Sequence, residues 1–191
     1  MSKTLSKGSI TLITIGIVIL ILIGGTLTTY NGLVSKDEAA STAWSNLQAQ
    51  YQRRADLVPN LVNTVKGYAK HESETFENVV AARAKATQLS VDADNLTPER
   101  ARQILQAQGD LSTALGKLMA ISESYPELKA SENFSELQAQ LEGTENRIAE
   151  SRRLYNESVQ TFNTAVRRFP ANIVAGIFGF EKRTAFEAEA G

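Results

Sequence analysis

The sequence predicts an all-α fold: an up-and-down bundle of three long helices, with room for a short fourth, after an N-terminal transmembrane helix. Three observations lead to this prediction. Leu, Ala, Glu and Gln are frequent, while only four of the 191 residues are proline, a balance that favours helix. Residues 10–27 carry no charge. After them, apolar residues recur every seven positions, as in helices with one apolar face.

The apolar run at residues 10–27, ITLITIGIVILILIGGTL, contains 18 residues and spans about 27 Å as a helix. That length is close to the roughly 30 Å of a bilayer's hydrocarbon core. A cleaved signal peptide is the alternative, but the run is longer than a usual signal core and no small-x-small cleavage site follows it. The sequence therefore predicts a permanent anchor, with Tyr30 at its interfacial edge. Residues 1–29 would form a cytoplasmic stub and anchor, and residues 30–191 the bundle domain.

Charge indicates the orientation and excludes one class of partner. Lys3 and Lys7 precede the anchor and Lys36 follows it, so the basic residues favour a cytoplasmic N-terminus and a bundle on the non-cytoplasmic side. Residues 30–191 hold 18 of the 20 basic residues and all 21 acidic ones, a net charge of 18 − 21 = −3. With no basic block, nucleic acid is not an expected partner.

The first bundle helix is predicted over residues 31–89, where one seven-residue track holds Trp44, Tyr51, Val58, Val65 and Val79, with Glu72 at the intervening place. A second helix should begin with Thr97 as N-cap and Pro98 as its first residue, and end near residue 123. The third should run from about residue 131 to Phe169, where Pro170 stops it.

The predicted helices differ in length. The first would extend about 88 Å over 59 residues and the second has about 26 residues, so the membrane-proximal part of the first would remain uncovered. Another subunit could cover it, the apolar segment FPANIVAGIFGF at residues 169–180 could do so, or the first helix could break. That segment is also apolar enough to cap the bundle, to touch the bilayer surface or to dock a partner.

The stretch QRRADLVPNLVNTVKGYAKHE, residues 52–72, carries the polar residues of most interest. Pro59 has no backbone N–H, so the carbonyl of Ala55 loses its helical donor. A kinked helix is favoured over a full break, because the seven-residue track continues in phase through Tyr51 and Val58.

Arg54 falls near the inward face of this helix, where a guanidinium needs a carboxylate or several carbonyls. One interpretation is structural: Arg54 pairs internally, with Glu145 of the third helix as the available carboxylate, or its stem packs while its charged head reaches water. The other is a recognition patch of Arg53, Arg54, Asp56 and Asn60 around a kink that exposes a carbonyl.

Several segments resemble one family. They are YNGLV at 30–34, the block AWSNLQAQYQRRADLVPNLVNTVKGYAKHE at 43–72, AAR at 81–83, RRLYNESVQTFNTAVRRFP at 152–170 and NIVAGIFGFEKRTAF at 172–186. In this order they resemble the LemA family of bacterial membrane proteins over nearly the whole chain. The resemblance implies one N-terminal membrane helix and a helical bundle in the bacterial cell (inner) membrane. It implies no settled activity and no catalytic residue.

No residue set predicts chemistry. The chain has no cysteine and one histidine, His71, and Tyr68 lies where a di-iron bundle would need a carboxylate. No catalytic residue, metal site or cofactor is predicted, and the protein is not expected to be an enzyme. Four glycines, Gly67, Gly109, Gly116 and Gly143, interrupt predicted helices, and either close helix contacts or tolerated surface positions would explain them.

The sequence therefore favours a membrane-anchored scaffold or adaptor without catalytic activity, which contacts an unidentified protein partner, or itself, near the bilayer. Two alternatives stay open. One is a structural homo-oligomer that organises or shapes membrane, and the other is a regulatory subunit of a membrane enzyme.

Overall fold

The computed structural model describes residues 7–186; Lys3 of the predicted stub lies outside them. These residues form helices joined by turns, followed by an irregular segment at residues 180–186, which confirms the all-α class. The α-helices are α1 (Lys7–Tyr68), α2 (Ser73–Gln88), α3 (Pro98–Ala120), α4 (Pro126–Lys129), α5 (Glu132–Arg167) and α6 (Ala171–Phe178), and two 3₁₀ turns cover Ala93–Asn95 and Ile121–Ser124.

The first part of α1 is long and apolar enough to cross a membrane, and none of its most apolar stretch is buried against the described chain. The hydroxyls of Thr26, Thr28 and Thr29 donate to backbone carbonyls four residues earlier, at 2.8, 2.9 and 2.8 Å. Such bonds satisfy hydroxyl groups where no water is at hand. The helix continues without a break across the predicted domain boundary between residues 29 and 30.

The prediction of one helix over residues 31–89 is wrong. The helix is continuous through Pro59, so the full break considered there does not occur, but it ends at Tyr68 and α2 begins at Ser73. Glu72 occupies the place on the seven-residue track where an apolar residue belongs. By turning back beside it, the chain brings Phe76 and Val79 of α2 into the same core as Val65 of α1.

Four helices, α1, α2, α3 and α5, run alternately up and down and form the bundle. α2 packs between α1 and α3, and α5 packs along α1. The long helices α1, α3 and α5 correspond to the three that were predicted. The helix α2 is the segment that the prediction had joined to α1. The membrane-distal core contains Leu61, Leu111, Leu118 and Phe134, each at most 1% exposed.

The helix boundaries follow local chemistry. The hydroxyl of Thr97 accepts a hydrogen bond from the backbone N–H of Arg100 at 3.3 Å, and Pro98 is the first residue of α3, which confirms the predicted cap. α5 ends at Arg167, two residues before the predicted end at Phe169. The short fourth helix for which the sequence left room is α6.

The membrane-proximal half of α1 is covered from within the chain. The aromatic rings of Trp44, Tyr155 and Phe186 pack together, with centroids 5.3 to 5.6 Å apart. Nearer the apolar first part of α1, Leu33 packs against Val174 and Ala175 of α6. Two of the three predicted solutions to the length mismatch therefore occur together. The helix predicted over residues 31–89 is interrupted after Tyr68, and the C-terminal apolar segment covers the part of α1 that α2 and α3 do not reach.

Candidate functional site

The stretch at residues 52–72 divides into a buried and an exposed half. Val58, Leu61 and Val65 are completely buried in the bundle core. The polar residues of the stretch fall on both sides of this apolar line, because a helix of 3.6 residues per turn spreads consecutive positions around its circumference. Their burial therefore decides which of them can meet a partner.

Arg54 lies on the buried side and is 2% exposed. Its Nη1 donates to Glu145 Oε1 at 2.6 Å and to Ser112 Oγ at 2.7 Å. Its Nη2 donates to the backbone carbonyl of Gln108 at 3.0 Å and also to the side-chain oxygen of that residue. Internal pairing with Glu145 is thus what the structure shows, and the guanidinium joins α1, α3 and α5.

The environment of Arg54 stabilises a cation. The Arg54 guanidinium lies 5.9 Å from the ring centroid of Tyr51, within cation–π range. Burial raises the pKa of Tyr51, and the positive charges of Arg152 and Arg54 partly oppose that rise. We infer that Arg54 and its hydrogen-bond partners stabilise the packing of α1, α3 and α5 against one another.

The carbonyl that Pro59 deprives of its helical donor is not exposed. Arg83 of α2 donates from Nε to the Ala55 carbonyl oxygen at 2.7 Å. An orphaned buried carbonyl would cost free energy, and the side chain of a neighbouring helix removes that cost. Arg83 therefore links α2 to α1 at the Ala55 carbonyl, which is bonded within the chain and not open to a partner.

The remaining candidates lie on the surface. Arg53, Asp56 and Asn60 are exposed, as is Pro59 between them. Gln52 donates from Nε2 to Asp56 Oδ1 at 2.7 Å along the same helix face. Of the four residues predicted to contact a partner, these three are placed where a partner could reach them, while Arg54 is enclosed by its own chain.

A second arginine, which the sequence analysis did not single out, fixes the C-terminal segment. The side chain of Arg183 is 10% exposed and donates to Asp37 Oδ1 at 2.5 Å and to Asp94 Oδ1 at 2.8 Å. Its guanidinium lies 5.9 Å from the ring centroid of Phe162. The hydrogen bond to Asp37, opposed by burial and aided by both negative charges, raises the pKa of Arg183.

Two asparagines of α5 hold the backbone of the same segment. Asn163 donates to the Arg183 carbonyl at 2.8 Å and accepts from the Arg183 N–H at 2.9 Å. Asn156, seven residues earlier, makes the same pair with Phe186 at 3.1 and 2.9 Å. We call this set of two asparagines with Arg183 and Phe186 the C-terminal clasp. Its repeat of seven residues on α5 was the available sequence signal.

Within residues 7–186 no group of three or more His, Cys, Asp or Glu side chains is placed to hold a metal ion. The single histidine, His71, is exposed in the turn between α1 and α2. A side-chain carbon added to Gly67, Gly109, Gly116 or Gly143 would meet no neighbouring atom within 4 Å, so the close-contact interpretation of those glycines is not supported.

Together these features define a class: a long N-terminal helix, apolar in its first part, that continues into an antiparallel helical bundle closed by a clasped C-terminal segment. A family model described as the LemA family matches residues 43–191. The match covers more than half of the chain, so the protein belongs to the LemA family, as its sequence motifs predicted.

Three similar proteins illustrate its relationships. Magnetosome protein MamQ of Magnetospirillum gryphiswaldense is 28% identical over 170 residues, which cover 80% of this chain and 62% of the relative. Magnetosome protein MamQ 2 of Paramagnetospirillum magneticum is 27% identical over 175 residues, covering 83% and 64%. Protein LemA of Metamycoplasma hominis is 26% identical over 164 residues, covering 86% and 69%. The chain spans less than two thirds of the length of the magnetosome relatives.

Proposed function

We propose that this LemA-family protein is a single-pass, membrane-anchored scaffold or adaptor without catalytic activity, whose bundle holds a protein partner near the bilayer. The first part of α1 supplies the anchor, since its apolar side chains pack against nothing in the described chain and the same helix continues into the bundle. Membership of the LemA family favours a bacterial inner-membrane location, and the lysines around the anchor favour a bundle on the non-cytoplasmic side.

The observation that carries the proposal is the division of residues 52–60. Nη1 and Nη2 of the buried Arg54 donate to three residues of its own chain, whereas Arg53, Asp56 and Asn60 form an exposed polar face around Pro59. This contact face combines a cation, a carboxylate and an amide on a rigid helix, which suits hydrogen-bonded recognition of a protein surface. It lies on the bundle, away from the anchor, where a partner can approach.

The test is crosslinking in intact cells that produce the tagged full-length protein, followed by detergent extraction, affinity purification and mass spectrometry. The variant Arg53→Ala/Asn60→Ala removes the contact face without touching the core. We expect the wild type to capture a distinct membrane protein that this variant loses. The matched control is Asn146→Ala/Arg147→Ala, which truncates an exposed amide and an exposed cation on α5 and should capture the partner normally.

Capture of the same protein by all three forms, in equal amount, would refute the contact face. Loss by both double variants would also refute it, since the effect would not depend on residues 53 and 60. Circular dichroism of each purified form establishes that the bundle is intact, so that loss of capture is not loss of fold.

A second candidate, the structural homo-oligomer, is favoured by one surface. A groove of about 870 Å³ runs between α1 and α5 on the membrane-proximal half. Small side chains line it, including Ala39, Thr42, Ala43, Ser151 and Ser158. Small residues allow helices of neighbouring copies to approach closely.

This alternative is tested with a single introduced cysteine, because the natural chain has none. Ala39→Cys lies in the groove and Ala84→Cys lies on the exposed face of α2. If copies associate through the groove, mild oxidation of membranes yields disulfide-linked dimers for position 39 and not for position 84. Equal, low yields at both positions would exclude this interface.

A further inference from the structure

Exposed apolar side chains outside the apolar anchor are concentrated in one place. In the described part of the chain, Phe169, Ile173, Ile177 and Phe178 are 76%, 53%, 71% and 53% exposed. The other large apolar side chains that are exposed beyond the anchor are separated from one another in the sequence: Val34, Tyr68, Val80 and Leu154. Four such residues within ten positions form a patch that a chain surrounded by water rarely displays.

Packing of α6 within the bundle does not account for this patch. The inward residues of α6, Val174 and Ala175, are 7% and 2% exposed and already pack on Leu33 of α1. Ile173 and Ile177 are one helical turn apart, so they share a face that differs from the packed one. The helix therefore has two apolar faces, and the chain covers one of them.

The patch lies beside the end of the anchor. The ring of Phe178 is 4.8 Å from that of Tyr30, and the ring of Phe180 is 5.7 Å from it. Tyr30 follows Leu27, the last residue of the apolar run, by three positions, which is about 4.5 Å along a helix. Helices that lie in the membrane interface bury their apolar face about 5–10 Å into the boundary of headgroups and acyl chains. The uncovered face is thus at interfacial depth once α1 crosses the membrane.

Charge around α6 fits the same surroundings. Arg167 and Arg168 precede the helix and Lys182 follows it, all exposed, against one exposed acidic residue, Glu181. Exposed arginine and lysine near a bilayer are attracted to anionic headgroups. A protein partner or a second copy would need an apolar surface located at the same depth, whereas the bilayer is present there already.

We propose that α6 is an interfacial membrane-docking helix: Phe169, Ile173, Ile177 and Phe178 enter the lipid interface next to the anchor, and the flanking basic residues meet lipid headgroups. This proposal rests on the proposed membrane anchor. Docking at this second point would hold the bundle at a fixed tilt to the membrane, because Tyr30 and α6 join the two contacts rigidly.

The test uses the full-length chain in proteoliposomes of phosphatidylcholine and phosphatidylglycerol in equal amounts. Single cysteines at Ile177, Leu20 and Val80, and at Ile173 in case position 177 disturbs the fold, carry an environment-sensitive fluorophore. These positions are exposed in the chain, with Leu20 at 69% in the anchor and Val80 at 54% on α2. Lipids spin-labelled on the acyl chain close to the headgroup are the quenchers for positions 173 and 177, lipids spin-labelled at the end of the acyl chain are the quenchers for position 20, and both are applied to position 80.

We expect the fluorophore at position 177, and likewise at 173, to shift to shorter wavelength and lose most of its intensity to the quencher. The fluorophore at position 80 should remain unquenched. If position 20 is quenched while positions 173 and 177 behave like position 80, α6 does not dock on the bilayer and the inference is overturned although the anchor stands. If position 20 is also unquenched, the anchor itself, and the inference with it, is overturned.

Discussion

Arg83 donates a hydrogen bond from Nε to the carbonyl oxygen of Ala55, at 2.7 Å. That carbonyl belongs to α1 and lies four residues before Pro59, which cannot supply the usual backbone N–H. A side chain of α2 thus replaces a backbone donor of α1, and the bend-prone point of the long helix is fixed by the helix that folds back on it.

Because Arg83 supplies the donor that Pro59 lacks, the effects on stability of replacing these two residues should depend on each other. Arg83→Met should lower the free energy of unfolding by about 1–3 kcal/mol, the usual cost of leaving a buried carbonyl unpaired. In a Pro59→Ala background the cost should be smaller, because residue 59 then regains an N–H that can reach Ala55. Denaturant unfolding of the four proteins measures the coupling. An equal cost of Arg83→Met in both backgrounds would show that the Ala55 contact is irrelevant.

The C-terminal clasp predicts local opening without loss of the bundle. Asn163→Ala removes two hydrogen bonds to Arg183, which lowers the opening free energy by about 2 kcal/mol at about 1 kcal/mol each. Amide hydrogen exchange of residues 180–186 should then accelerate roughly thirtyfold. Gln160→Ala, at an exposed position of the same helix, should leave exchange unchanged. Unaltered exchange in Asn163→Ala would contradict the clasp.

The raised pKa of Tyr155 leads us to expect that the protein loses stability in alkaline solution. Burial raises its pKa from 10.0 to about 12, against a smaller opposing effect of Arg183. Above pH 10 the unfolded chain loses this proton while the folded chain keeps it, so unfolding is favoured increasingly until about pH 12. The neutral phenol therefore contributes fully to the free energy of unfolding below pH 10, and this contribution is lost as the pH rises through the pKa that Tyr155 has in the folded chain.

The comparison that isolates this group is with Tyr155→Phe. Below pH 10 the wild type should be more stable by about 1 kcal/mol, because the Tyr155 hydroxyl donates to the Thr184 carbonyl at 2.7 Å. As pH rises, the difference should shrink by up to about 1.4 kcal/mol per pH unit and then reverse. A constant difference up to pH 12 would mean that Tyr155 ionises alike in both states.

The glycines within α3 predict a gain in stability. Gly109 and Gly116 are exposed in the helix, and a side-chain carbon at either position meets no atom within 4 Å. Gly109→Ala and Gly116→Ala should each raise the free energy of unfolding by about 1 kcal/mol, since alanine restricts the unfolded chain and favours helix. Thermal unfolding measures both. A loss of stability would indicate that these positions are covered in the native assembly.

The parts of the fold that the sequence predicted correctly are those marked by a repeat of apolar residues or by a local helix-capping signal. The seven-residue tracks revealed the long helices, Thr97 and Pro98 marked the start of α3, and the inward position of Arg54 pointed to Glu145. The turn after Tyr68 left no such signal, because the apolar track continues in phase through it and only Glu72 interrupts the pattern.

Contacts that depend on the packing of segments distant in the sequence could not be predicted. The motif that ends in Arg83 is recognisable, but its bond to Ala55 follows from the reversal of α2, which was not predicted. Asn156 and Asn163 bind an irregular segment through its backbone, so the side chains of that segment carry no matching pattern. The sequence placed Arg54 near the inward face but left open whether it pairs internally or joins Arg53 in a recognition patch, because the packing of α3 and α5 around its guanidinium was not predicted.

The central claim is that Arg54 stabilises the packing of the bundle, while its neighbour Arg53 is exposed and available to a partner. The most direct test is to measure the free energy of unfolding of Arg54→Met and Arg53→Met in the full-length protein. We expect a loss of about 2–4 kcal/mol for Arg54→Met, below the cost for a fully buried pair because the Glu145 side chain is 37% exposed. Arg53→Met should change stability by no more than about 0.5 kcal/mol. Equal effects of the two substitutions would contradict the division between an architectural and a contact arginine.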